Sequence, residues 1–104
     1  MGGLHHGHAH LISAASRHTA VETETLVSVF VNPLQFAPNE DFVRYPRTFE
    51  ADCELAERCG ASAIWCPDEE QIYPGGMAES WRIQAPNSLQ SGLCGSTRPG
   101  HFDG

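Results

Sequence analysis

Apolar residues recur along this chain with two different periods, and each change of period marks an element. Leu11, Ile12 and Ala15 fall at helical spacing from Gly7 to about Arg17, with Ala14 adding propensity, so the spacing predicts a helix that opens at Gly7. Leu26-Val27-Ser28-Val29-Phe30-Val31 is β-branched and aromatic on both faces, the composition of a strand buried between two helix layers. Asn32-Pro33 ends that strand. Loop is expected up to Pro38, then a short helix capped by Asn39 with Glu40 and Asp41 in its first turn. Phe49, Cys53, Ala56 and Cys59 form one stripe of an amphipathic helix, with Arg58 in its last turn and Gly60 placed to end it. A second buried strand is expected from Ala61 to Cys66, stopped by Pro67. Trp81-Arg82-Ile83-Gln84 reads as a short edge strand, and Asn87 to Gly104 is rich in glycine, serine and proline.

Strand, helix, strand is the rhythm of a parallel sheet with right-handed crossovers, so the fold class expected is α/β. A helix this near the start should follow a strand in such a fold, and the sequence supplies none before it. The other end stops in a loop. The layout therefore predicts an incomplete domain over residues 1–104, with its first strand missing, taken from a longer chain.

Composition narrows the functions open to it. At 104 residues there is room for one domain at most, and 40% apolar with 18% charged residues predicts a packed core. Net charge is -7, which repels nucleic acid backbones and anionic lipid, so neither is expected as a partner. No apolar run approaches the roughly 20 residues of a membrane helix. The start has no signal-peptide pattern, which makes the cytoplasm the expected location. All six basic residues are arginine, so a Walker-type lysine and Schiff-base chemistry are excluded from this segment. Cys53, Cys59, Cys66 and Cys94 show no C-x-x-C pair and read as free thiols, mostly buried as small hydrophobes.

Chemistry concentrates at the start. Leu4-His5-His6-Gly7-His8 is an H-x-G-H pattern where loop enters helix, placing His5 and His8 on one side of the first turn. Backbone N–H groups and the helix dipole attract anions there, Gly7 admits a ligand to the backbone, and two imidazoles add donors whose pKa a phosphate would raise. No carboxylate or cysteine lies near enough in sequence to complete a zinc site. The second candidate region is Asn32-Pro33-Leu34-Gln35-Phe36, beyond the carboxyl end of the first strand, where doubly wound sheets bind ligands. Asn32 and Gln35 suit a small polar substrate. Arg98-Pro99-Gly100-His101 reads either as an anion clamp or as an exposed turn.

Taken together, these stretches resemble the pantothenate synthetase family, the pantoate–β-alanine ligases of the H-x-G-H nucleotidyltransferases. Met1-Gly2-Gly3-Leu4-His5-His6-Gly7-His8 is similar to the family's nucleotide motif, and Val27 to Phe36 to its strand and substrate loop. Asn39-Glu40-Asp41-Phe42, Arg44-Tyr45-Pro46-Arg47-Thr48 and Cys94 to Phe102 are similar to further family stretches. The resemblance implies a partial Rossmann-like nucleotide- and pantoate-binding domain, the C-terminal domain lying outside it. It implies that ATP, accompanied by Mg2+, adenylates pantoate with release of pyrophosphate. The amine of β-alanine then attacks the pantoyl adenylate to give pantothenate and AMP. Met1, Gly2, Gly3, Leu4, His5, His6, Gly7 and His8 would line the ATP site, His8 as proton donor and His5 aiding phosphate stabilisation. Gln35 would contact pantoate and β-alanine, facing the histidine pair, with Asn32, Arg98 and His101 as lesser candidates. A homodimer is implied for full-length members, and no ligase activity for this segment alone. Two rivals stand beside this reading: another H-x-G-H nucleotidyltransferase that transfers AMP to a phosphate, and a non-catalytic remnant that only binds ligand or other chains.

Overall fold

The computed structural model describes residues 2–18, 24–37, 40 and 42–103. They form an α/β arrangement in two compact units, the first from Met1–Val31 with Pro46–Pro67, the second from Asn32–Tyr45 with Asp68–Gly104.

The first unit holds helix α1 (His6–His18), strand β1 (Leu26–Ser28), helix α2 (Phe49–Arg58) and strand β2 (Ala63–Trp65). The strands pair in parallel, Val27 opposite Ile64, and the Val29 N–H extends the ladder to the Trp65 carbonyl at 2.7 Å. Both helices and both strands thus stand where the periodicity puts them, each within a few residues. Burial on both strand faces does not follow. Val27 and Ile64 are half-buried on one face, whereas Leu26 and Trp65 on the other are 61% and 48% exposed. A continuous apolar run gives strand character without saying how many layers cover it. Among the described residues two strands pair, and one face is covered.

The apolar core is correspondingly thin: of the described residues Ile12, Val29 and Ala56 are its buried apolar members. The cysteines are free, as expected, but not mostly buried, since Cys53 and Cys59 are half-buried and Cys66 and Cys94 exposed. Cys53 flanks the buried line of α2 instead of lying on it, and Cys59 stands just past the helix end. Helix α2 ends as its sequence demands. Gly60 adopts φ +92°, its N–H bonds the Glu57 carbonyl, and the Ala61 N–H bonds Ala56, the two bonds of a Schellman motif. Ser16 of α1 lies 2.8 Å from the Ile12 carbonyl and 3.0 Å from that of Cys59, so its hydroxyl proton ties α1 to the end of α2.

The second unit is built of short turns. A 3₁₀ turn Pro33–Gln35 is followed by another at Phe42–Arg44, and the Phe36 ring meets Phe42 and Tyr45 edge-on at 5.1 and 5.4 Å. The helix cap expected at Asn39 and Asp41 lies outside the described residues. Helix α3 (Glu69–Ile72) opens with a capping box between Asp68 and Gln71, and helix α4 (Asn87–Gln90) precedes 3₁₀ turns at Leu93–Ser96 and His101–Asp103. The edge strand expected at Trp81–Gln84 is absent. Trp81 is fully exposed and Ile83 nearly so, and no strand pairs with them among the described residues. A lone apolar alternation without a sheet edge to join gains no ladder.

Candidate active site

The sequence H-x-G-H forms one connected device at the mouth of α1. His5 stands just before the helix: its carbonyl accepts the Ala9 N–H at 3.0 Å, and its Nδ1 accepts the Gly7 N–H at 3.1 Å. An imidazole therefore fills the capping role usually taken by Ser, Thr, Asp or Asn. Gly7 is needed for that. A Cβ there would stand 3.0 Å from His5 Cε1 and 3.3 Å from Nδ1, so the space expected for a ligand's approach is taken by the His5 ring.

One turn on, His8 Nδ1 accepts the His5 N–H at 3.1 Å, and the two rings lie in contact with centroids 4.0 Å apart and planes tilted by 37°. The two histidines lie together as their spacing predicted. Because each Nδ1 accepts a backbone N–H, the proton of each neutral ring sits on Nε2. His8 is held below its ordinary pKa near 6.5, chiefly by loss of solvent and next by the charge of His5, with Asp52 opposing. His6 and His10 line a different, shallow hollow with Ala9 and Ser13. Met1 lies outside the described residues.

These bonds revise the electrostatic expectation for the motif. The amides of His5 and Gly7 are engaged by imidazole nitrogens, and those of Gly3 and Leu4 by Asp52, whose Oδ2 and Oδ1 accept them at 3.0 and 2.7 Å. What the device presents to an anion is ring N–H, not these four backbone groups. Asp52 was not a candidate from sequence. Its signal was there, a carboxylate three residues after Phe49 and four before Ala56, on the apolar side of an amphipathic helix.

In the second unit, the 3₁₀ turn is capped by Asn32, whose Oδ1 accepts the Leu34 N–H at 3.0 Å and the Tyr73 O–H at 2.8 Å. That oxygen is occupied in shaping the loop, which leaves the amide NH2 as the side chain's group for a ligand. The Gln35 carbonyl receives His101 Nδ1–H at 2.8 Å, fixing the opposite tautomer from that of His5 and His8 and leaving a lone pair on Nε2. Arg98 pairs with Glu40, whose carboxylate also accepts the Ala37 N–H at 2.8 Å. Arg98 and His101 are thus brought to the segment around Gln35, Arg98 with its charge already met by Glu40. The histidine pair belongs to the first unit and Gln35 to the second.

A parallel α/β unit whose helix opens on paired, N–H-bearing imidazoles defines the class, an H-x-G-H nucleotidyltransferase-like domain. Comparison with known proteins narrows it. The profile of the pantoate-beta-alanine ligase family matches residues 1–104, and the chain belongs to that family of amide-forming ligases. It is 86% identical over 104 residues to a bifunctional pantoate ligase/cytidylate kinase of Synechococcus sp. (strain CC9311). It is 57% identical over 105 residues to that of Prochlorococcus marinus (strain MIT 9313). All of this chain is covered in both, but only 21% of each relative. Among solved structures it is similar to the pantothenate synthetase of Thermus thermophilus, with 43% identity and a TM-score of 0.86 over 99% of this chain and 36% of that one. The pantoate-beta-alanine ligase of Francisella tularensis, complexed with beta-gamma ATP and beta-alanine, gives 37% identity and a TM-score of 0.84 over 100% and 38%. The chain spans about a fifth of the length of these curated relatives.

Proposed function

We propose that these residues form the nucleotide- and pantoate-binding part of a ligase that condenses pantoate with β-alanine. ATP adenylates the pantoate carboxylate, pyrophosphate leaves, and the β-alanine amine attacks the acyl adenylate to give pantothenate and AMP. The observation that carries this reading is the close pair of His5 and His8, each with its Nδ1 engaged by backbone and its proton directed to Nε2. Two such donors suit the charge that grows on a phosphoryl group as pyrophosphate departs. A phosphate at the pair would raise the lowered pKa of His8, so binding itself would load His8 with the proton it donates. Gln35 binds pantoate and β-alanine, Asn32 shapes its loop and offers an amide donor, and Arg98 is the nearby cation for a carboxylate, with the His101 ring held beside the Gln35 carbonyl.

Mg2+ enters with the ATP phosphates. Among the described residues no three His, Cys, Asp or Glu side chains are grouped to hold a metal ion, and the Asp52 carboxylate already accepts three donors. No step is assigned to the ion through this chain. No helix of the described residues is long and apolar enough to cross a membrane. A cytoplasmic location and a homodimer belong to the proposed reading.

The test is pantoate-dependent exchange of labelled pyrophosphate into ATP, measured on a protein of the relatives' length. Exchange that requires pantoate supports the ligase. Exchange indifferent to pantoate favours a nucleotidyltransferase that adenylates a phosphate, and none at all favours a remnant.

A further inference from the structure

Asp52 is the charged side chain that the described residues bury most completely, at 2% exposure, and nothing in the reaction above uses it. Its carboxylate is saturated by local design. Oδ2 accepts the Gly3 N–H at 3.0 Å, and Oδ1 accepts the Leu4 N–H at 2.7 Å and the Thr48 O–H at 3.1 Å. The first two bonds span 49 and 48 residues of sequence, from α2 to the segment that leads directly into His5.

Backbone conformation explains why two consecutive amides reach one carboxylate. Gly3 has φ +66°, the left-handed region, and such a residue turns successive N–H groups to the same side, forming a concave site for an anion. Here the anion is Asp52. Gly2 is packed from the opposite direction, since a Cβ there would stand 2.9 Å from the Pro46 carbonyl and 3.1 Å from Val31 Cγ2. Residues 2 to 4 are thus held from two sides, and His5, which caps α1 and packs against His8, follows from them by a single peptide bond.

We infer that Asp52 is a positioning residue of the nucleotide site: by holding the Gly3 and Leu4 amides it fixes where the His5–His8 pair meets the triphosphate. This deepens the ligase reading and rests on it. The role needs the carboxylate's two acceptors, because an amide in its place would set an NH2 group against one of the two backbone N–H groups. The negative charge also acts on His8, opposing the causes that lower its pKa.

The experiment is Asp52→Asn in the intact ligase, compared with Ser16→Ala, which weakens the α1–α2 tie without touching residues 2 to 8. In the unsubstituted protein the Gly3 and Leu4 amide protons should resonate downfield, as short bonds to a carboxylate require, and Asp52→Asn should return at least one of them upfield. The KM for ATP should rise about tenfold or more with Asp52→Asn, the loss expected for hydrogen bonds to a charged group, while Ser16→Ala lowers the melting temperature and leaves that KM alone. Equal effects of the two variants on KM, or an Asp52→Asn enzyme with ordinary ATP kinetics, would overturn the inference. If Asp52→Asn does not fold, Thr48→Val removes one of the three donors, and its smaller rise in KM, about threefold, is read against the same control. An unsubstituted protein that binds no ATP–Mg2+ would refute the ligase reading itself, and the amide shifts would still decide the clamp.

Discussion

Gly7→Ala separates two explanations of the glycine in H-x-G-H. If Gly7 serves the backbone, alanine should unfold the helix start. If it serves the His5 ring, alanine should leave the fold standing and dislodge the ring. The geometry favours the second, because the new Cβ would lie 3.0 Å from His5 Cε1, against about 3.5–4.0 Å for an ordinary carbon contact. Moving the ring out by roughly 0.5 Å along that contact lengthens the 3.1 Å bond from the Gly7 N–H to about 3.6 Å, beyond hydrogen-bond reach. The lost cap costs about 1 kcal/mol, and replacing a helical glycine by alanine returns up to about 1 kcal/mol of propensity. Net stability should therefore change by no more than about 1 kcal/mol in urea unfolding. The displaced His5 charge is farther from His8, so the His8 pKa, followed by NMR titration of its ring proton, should rise toward 6.5 while staying below it, since burial is the larger cause. A loss above about 2 kcal/mol, or a His8 titration that does not move, would refute this account of the motif.

Three further outcomes are expected. His8→Ala in the intact ligase should lower turnover by about 10²–10³ while ATP binding changes far less, and a change confined to KM would contradict its role as donor. Because the folded pKa of His8 lies below its unfolded value, the unfolded chain takes up the proton first as pH falls below about 6.5, and the stability His8 contributes at neutral pH is lost on acidification. Urea midpoints at two pH values should show this fall, reduced in His8→Gln. Gly60→Ala should cost about 2 kcal/mol, since φ +92° strains any L side chain and the Cβ would press to 2.9 Å from Ser16 Oγ, and a midpoint unchanged from the parent would show that the turn can relax.

What the sequence disclosed, and what it withheld, divides along physical lines. The end of helix α2 was legible, because its terminal arginine and Gly60 are local signals that agree with the observed Schellman motif, but its buried line was not, since Phe49 of the expected stripe is 47% exposed and Asp52 is buried beside Ala56. The parallel strands were legible as strands, but their burial was not, because coverage depends on layers that periodicity does not count. Trp81 to Gln84 misled for the same reason, an alternation that needs a sheet edge supplied from elsewhere. At the site, His5 and His8 were found by spacing, since three residues on a helix place side chains together. Asp52 was missed because its partners are 48 and 49 residues away in sequence. Only the contradiction of a carboxylate on an apolar face announced it.

Tautomers carry the argument one step past residue identity. Histidine in a sequence is both donor and acceptor, and a motif of two histidines does not say which nitrogen of either ring carries the proton. Backbone amides remove that ambiguity: the N–H groups of His5 and Gly7 occupy Nδ1 of His8 and His5, so both neutral rings are Nε2 donors. The Gln35 carbonyl does the reverse to His101, which becomes an Nε2 acceptor. An Nε2–H can donate to an anion, and a bare Nε2 can only accept. Which nitrogen the main chain engages thus divides these histidines into donors in the first unit and an acceptor in the second. If NMR of the nitrogen-15-labelled rings showed the Nδ1–H form at His5 or His8, or the Nε2–H form at His101, that division would fail even with every side chain in its place.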